Sequence, residues 1–210
     1  MIAKIINLEN ANRQKVWAVD ASTNSIAFAI FDNKKLDFVG KVTFAGNTVY
    51  EKIGDAYAKT RALFDLYDID VVVIEHTIFM NSPKTVSDLA LIQGAILAAF
   101  WECGVKEIGS VSPITWQNYI GNKRFSKEEK IDMRSKTPNK SESWYKTQER
   151  EIRKEKTIRF INVQYDKDIR DNDVADACGI GYWAINNLTK AFKWQIESLL
   201  FLKKKKIMLY

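Results

Sequence analysis

From Val16 to Ala21 the chain is apolar except for Asp20, and after polar Ser22–Ser25 it is apolar again from Ile26 to Phe31. Asp32-Asn33-Lys34-Lys35 is turn chemistry, and Leu36–Phe44 alternates as a third strand would. Three strands joined by such short turns make an antiparallel meander. Between Thr48 and Tyr67 apolar residues recur at Val49, Ile53, Ala56, Leu63, Leu66 and Tyr67, close to a helical period. Asp70-Val71-Val72-Val73-Ile74 predicts a strand buried on both faces. Pro83–Trp101 predicts a helix with Gly94 at a point of close packing, and Glu107–Val111 a further strand. Ser112-Pro113 caps and opens another helix, and Asp171 begins a last one whose packed face holds Val174, Ala177, Cys178, Gly181, Tyr182 and Ile185. The result is an α/β chain with a mixed five-stranded sheet flanked by helices. There is no internal repeat.

Charge divides this pattern unevenly. Residues 121–159 carry 13 Lys/Arg against 7 Asp/Glu, and residues 189–210 carry 6 against 1. The net charge of the whole chain is +6, so what remains is acidic. An acidic body with two basic appendages suits a protein that gathers carboxylates at a metal site and holds a polyanion with its arms. The expected organisation is an α/β domain over 1–188, with a basic helical insertion at about 121–160, and a basic amphipathic tail over 189–210. The insertion is expected to stand away from the core. Trp144 and Tyr145 within it would then need DNA or a second subunit to cover them.

Composition narrows the class further. Hydrophobic residues make up 46% of 210 residues, as in a soluble globular domain, and no run reaches membrane-spanning length. Cys103 and Cys178 stand far apart with no zinc-type spacing, which points to a reducing, cytoplasmic setting.

The informative residues are acids in apolar company, because an unpaired buried charge is costly and a metal ion offsets that cost. Asp20 interrupts the first strand, and Glu75 directly follows Val71–Ile74. Asp171, Asp173 and Asp176 open the last helix; Asp173 and Asp176 are three apart and share a face. Asp171 and Asp173 could each be an ordinary N-cap, whereas Asp176 lies among Ala175, Ala177 and Cys178.

At this level the chain resembles the RuvC-type resolvases of the RNase H-like superfamily. Val16-Trp17-Ala18-Val19-Asp20-Ala21-Ser22 is similar to their first-strand motif, Val73-Ile74-Glu75 to the second, and Asp173-Val174-Ala175-Asp176-Ala177 to the closing D-x-x-D-A. Gln93-Gly94-Ala95 resembles the Q-x-G helix centre, and Gly121-Asn122 followed by Lys127 resembles the G-x(5)-K stretch. The resemblance spans roughly 16–133 and 165–188. It implies an RNase H-like fold and a metal tetrad of Asp20, Glu75, Asp173 and Asp176 holding two Mg²⁺ or Mn²⁺ ions. It also implies a catalytic Lys127, and a homodimer that nicks four-way or branched DNA junctions.

Lys123, Arg124 and Lys127, interleaved with Phe125, are the expected phosphate contacts, and Phe79 the candidate wedge against an unpaired base. His76 is expected to be structural. The chain departs from the family where Asp20-Ala21-Ser22 replaces Asp-Pro-Gly or Asp-Pro-Ser, and where Trp116 stands near a position often held by lysine. A viral or phage member is compatible with the compact chain and these departures. The same carboxylates would serve a nuclease that cuts RNA–DNA hybrids, and a DNA-binding module with a decayed site is a further alternative. An actin-like ATPase would need a second glycine-rich phosphate loop, which the chain lacks.

Overall fold

The computed structural model describes residues 15–192 apart from 68, 78–81 and 106. Phe79, the tail from residue 193 and its Trp194 lie outside the described residues. The meander comprises β1 (Lys15–Ala21), β2 (Ser25–Asp32) and β3 (Lys35–Thr43), all antiparallel. Its first turn is closed by Ser22, whose hydroxyl accepts from the backbone N–H of Asn24 and Ser25. That is how Asp20-Ala21-Ser22 turns the corner without proline or glycine.

Helix α1 (Val49–Phe64) starts at a capping box between Thr48 and Glu51 and crosses to β4 (Val71–Glu75). It stops three residues short of the expected end, which leaves Leu66 70% exposed. Helix α2 (Pro83–Glu102) leads to β5 (Glu107–Val111), and β4 pairs in parallel with both β1 and β5. The sheet order is β3-β2-β1-β4-β5. There follow α3 (Pro113–Tyr119), α4 (Lys127–Lys136), α5 (Glu142–Tyr165), α6 (Asn172–Asn186) and the short α7 (Leu188–Ala191).

Two cores form because strand alternation sends neighbouring residues to opposite faces. Trp17, Val19, Phe28, Val72 and Ile74 point to the side packed with Ile92, Ile96 and Phe100 of α2. Ala18, Ala27, Ala29, Val71 and Val73 point to the side covered by α6. Small residues on that face let the helix come close. A Cβ added at Gly181 would lie 2.0 Å from the Phe31 ring, and one at Gly179 would lie 2.6 Å from Trp116.

Three expectations need correction. Gly94 is not a close-packing point, since nothing lies within 4 Å of where its Cβ would be. The stretch 121–160 does not stand away from the body. It forms α4 and most of α5, and α5 returns to the core through Thr157 and Ile161, both fully buried, packing against α6. Trp144 and Tyr145 need no outside partner, because the α4–α5 turn covers them. The Tyr145 hydroxyl donates to the Thr137 carbonyl, and Arg134 and Lys140 lie over the two rings. At the other end Ala191 and Phe192 are buried in the core, so the packed body extends past residue 188.

Candidate metal centre

The sheet register assembles the site. Asp20 of β1 is opposite Ala27 of β2, which is opposite Lys41 of β3. The parallel pairing of β1 with β4, in which Val19 meets Ile74, brings Glu75 alongside Asp20. Residues opposite one another on adjacent strands share a face. Lys41, Asp20 and Glu75 therefore form one row under the N-terminal turn of α6. Ala27, between the first two, contributes only a methyl group.

Helix α6 completes the cluster. Asp171 is its N-cap, accepting from the N–H groups of Asp173 and Val174 at 2.9 and 3.1 Å. That resolves the capping ambiguity of the sequence, because Asp173 is left free to face the sheet. Its carboxylate lies 2.7 Å from the Lys41 ammonium, which also meets Asp171 at 3.0 Å.

Electrostatics ties the four acids together. Burial, then the charges of Glu75, Asp176 and Asp173, raises the Asp20 carboxyl well above its ordinary range, and Lys41 partly opposes them. Burial pushes Glu75 up to about 7, against a hydrogen bond from the Trp116 indole that favours its anion. Asp176 is also pushed up to about 7, by burial first and then by Glu75 and Asp173, with Lys154 and Arg153 opposing. These are carboxylates placed where proton or cation must offset the cost of their charge. The donor set is oxygen only, which suits hard divalent ions such as Mg²⁺ and Mn²⁺. Among the described residues no three His, Cys, Asp or Glu side chains close around a common point. Two of the acids are held by internal donors instead: Asp173 by Lys41 and Glu75 by Trp116.

Several supports were not readable as such in the sequence. Trp116 is fully buried, and its indole N–H donates to Glu75 Oε2 at 3.0 Å. Gln93 of the helix-centre motif clamps the end of β4. Its amide N–H donates to the Glu75 carbonyl at 3.0 Å, and its side-chain oxygen accepts from the Thr77 hydroxyl. Asn122, of the Gly121-Asn122 pair, is buried and donates to the Arg153 carbonyl and the Thr157 hydroxyl, docking the α3–α4 loop on α5. Arg153 in turn donates to Gln117 and to the Asn122 carbonyl.

Lys127 is exposed at the first position of α4 and forms no ion pair among the described residues. Lys123 and Arg124 are exposed in the preceding loop. Phe125 beside them lies under the Lys156 ammonium, 5.1 Å from its ring centre. His76 is exposed just past β4 and serves through its backbone N–H, which donates to the Val111 carbonyl. Among the described residues no helix is long and apolar enough to cross a membrane.

Neither a protein-family model nor a curated protein sequence matches the chain. Solved structures do match by shape. RuvC of Thermus thermophilus in complex with a Holliday junction substrate is 14% identical over 83% of this chain and 97% of its own, with a TM-score of 0.59. A second structure of Thermus thermophilus RuvC gives 15%, 81%, 95% and 0.55. The yeast mitochondrial Holliday junction resolvase Ydc2 is 10% identical over 90% of this chain and 85% of its own, at 0.51. These sources, a bacterium and a yeast mitochondrion, lend no support to the viral or phage origin considered from the sequence. The five-stranded mixed sheet with its flanking helices is thus an RNase H-like fold, of the kind found in junction resolvases.

Proposed function

We propose that the chain is a metal-dependent endonuclease that cuts four-way or branched DNA junctions, acting as a homodimer. The observation that supports this reading is the row of Asp20 and Glu75 on β1 and β4 beneath Asp173 and Asp176 of α6, the other three lying within electrostatic reach of Asp20. Asp20 and Glu75, on the sheet, and Asp173 and Asp176, on α6, would hold a pair of Mg²⁺ or Mn²⁺ ions. When bound, such a pair activates a water and neutralises the leaving oxygen of a phosphodiester.

The remaining residues orient and bind. Trp116 fixes the Glu75 carboxylate, Gln93 fixes the backbone behind it, and Asp171 spares Asp173 from capping. Lys123, Arg124 and Lys127, exposed and close in the chain, would contact backbone phosphates, with the resemblance assigning Lys127 to the scissile one. A four-way junction has two-fold symmetry, which matches a two-fold dimer. The solved structures of similar shape, one of them holding a Holliday junction substrate, favour junction DNA over an RNA–DNA hybrid.

The test is cleavage with Mg²⁺ of a four-way junction, a linear duplex and an RNA–DNA hybrid, by the wild type and by Asp20→Asn. The expected result is junction-selective nicking that Asp20→Asn lowers by about a thousandfold while still binding the junction. Hybrid cleavage at an equal or greater rate would replace the resolvase reading with a hybrid-cutting one. An undiminished rate for Asp20→Asn would remove the metal centre altogether.

A further inference from the structure

Lys41 is the residue of this site that the sequence did not single out. It lies on β3, one of the sheet's two edge strands, and belongs to the same cross-strand row as Asp20, with only Ala27 between them. Its four-carbon stem carries the ammonium over that methyl group to the start of α6. There it lies between two carboxylates of unequal standing. Asp171 already accepts two backbone N–H bonds as the helix cap, and its pairing with Lys41 is the longer, at 3.0 Å. Asp173 meets the ammonium at 2.7 Å, and among the described residues that is its one ion pair. The ammonium is also the cation whose charge opposes the three acids acting on Asp20.

We propose that Lys41 is an internal counterion that competes with a divalent ion for the Asp173 carboxylate, and that it is displaced onto Asp171 when the ion binds. The inference rests on the reading of Asp173 as a metal ligand. An oxygen in contact with an ammonium offers a divalent ion fewer lone pairs. Two cations on the same carboxylate would also repel strongly at such short range. Asp171 supplies the alternative partner two residues earlier, so displacement is a shift between two existing contacts and frees no buried charge. The consequence is a metal centre that stays balanced without its full complement of ions, and that takes up its last ion less tightly than the four carboxylates alone would.

Mn²⁺ binding, followed by calorimetry and by the paramagnetic signal of the free ion, tests this with no DNA and no turnover. Lys41→Met is expected to bind Mn²⁺ about five- to tenfold more tightly than the wild type. Its melting temperature in EDTA should be lower, and its rise on adding Mn²⁺ larger. Asp171→Asn keeps a good cap but removes the ammonium's second partner, so it should bind Mn²⁺ more weakly than the wild type. This second variant carries the test even if Lys41→Met does not fold.

Unchanged or weaker Mn²⁺ affinity in Lys41→Met, or unchanged affinity in Asp171→Asn, would overturn the proposal and make Lys41 a strut between β3 and α6. Asp20→Asn separates the two layers of the argument. If it binds as much Mn²⁺ as the wild type, the metal centre itself is wrong and the role of Lys41 falls with it. If it binds less while Lys41→Met binds no more tightly, the centre stands and only the counterion is refuted.

Discussion

Glu75 and Asp176 show how a few atoms of burial govern a site. Both are raised to about 7, burial being the largest cause in each. A carboxyl whose folded pKa lies above its unfolded value contributes stability that is fully present below the unfolded pKa and lost as pH climbs through the folded one. The metal-free protein should therefore lose stability between about pH 4 and pH 7 through these two groups. A divalent ion binds the deprotonated cluster, so its stabilising effect should grow over the same range. Melting curves in EDTA and in Mn²⁺ at pH 5.5 and pH 8 should show a larger Mn²⁺ increment at the higher pH. Equal increments would mean that these carboxyls do not meet the ion.

Trp116 allows a sharper test at the same scale. Trp116→Phe keeps most of the ring that packs on Gly179 but deletes the N–H that favours the Glu75 anion. The Glu75 carboxyl should rise further, moving the acid limb of the cleavage rate profile to higher pH, with a loss of about 1–3 kcal/mol in stability. A profile that stays in place would assign Trp116 to packing alone. At this scale the acids were legible in the sequence, because a charge inside an apolar run is conspicuous. Trp116, Gln93 and Lys41 were not. Each acts on a residue at least 18 positions away, and only the register of the sheet and the docking of α2, α3 and α6 on it bring them together.

Among the elements, the strands and α6 could be read directly, since alternation and a packed helical face are strong signals. Helix α5 could not. Of its 24 residues only Thr157 and Ile161 are fully buried, four apart in a stretch dense with charge, so the pattern looks like an arm although its later half seals the α6 face. The Gly94 expectation failed for a related reason, because a glycine marks close approach only when a neighbour is there. Gly181 is the converse. It lies in α6 against the fully buried Phe31 ring, which has no room to retreat. Gly181→Ala gains about 1 kcal/mol in helix propensity but overpacks the core at a cost of about 1–3 kcal/mol. Net destabilisation is expected in urea unfolding, with Gly54→Ala in α1, where nothing lies within 4 Å of the added Cβ, as a stabilised or neutral control. A Gly181→Ala protein as stable as the wild type would show that α6 can lift off the sheet.

For the whole molecule the question is how many active sites meet one substrate. Resolving a junction without loose ends takes two nicks within the lifetime of one complex, and a monomer with one site cannot make both in a single encounter. An exposed, largely apolar face that would meet a second copy lies on α2. Ser87, Leu91, Gly94, Ala98 and Trp101 are exposed along it at alternating spacings of four and three, the repeat of a helix-packing seam. Leu91 is 43% and Trp101 64% exposed, while the open space at Gly94 leaves room for close approach of another helix. The sequence alone could not say which face of this helix the fold would leave outward, because nearly every position on it is apolar or small. We predict that the wild type sediments as a dimer at low micromolar concentration and converts a cruciform plasmid to linear product. Leu91→Glu with Trp101→Glu should sediment as a monomer and yield open circles, while its melting temperature still rises on adding Mn²⁺. A wild type that stays monomeric with and without a junction, and gives only open circles, would leave a single-site nickase on an RNase H-like fold.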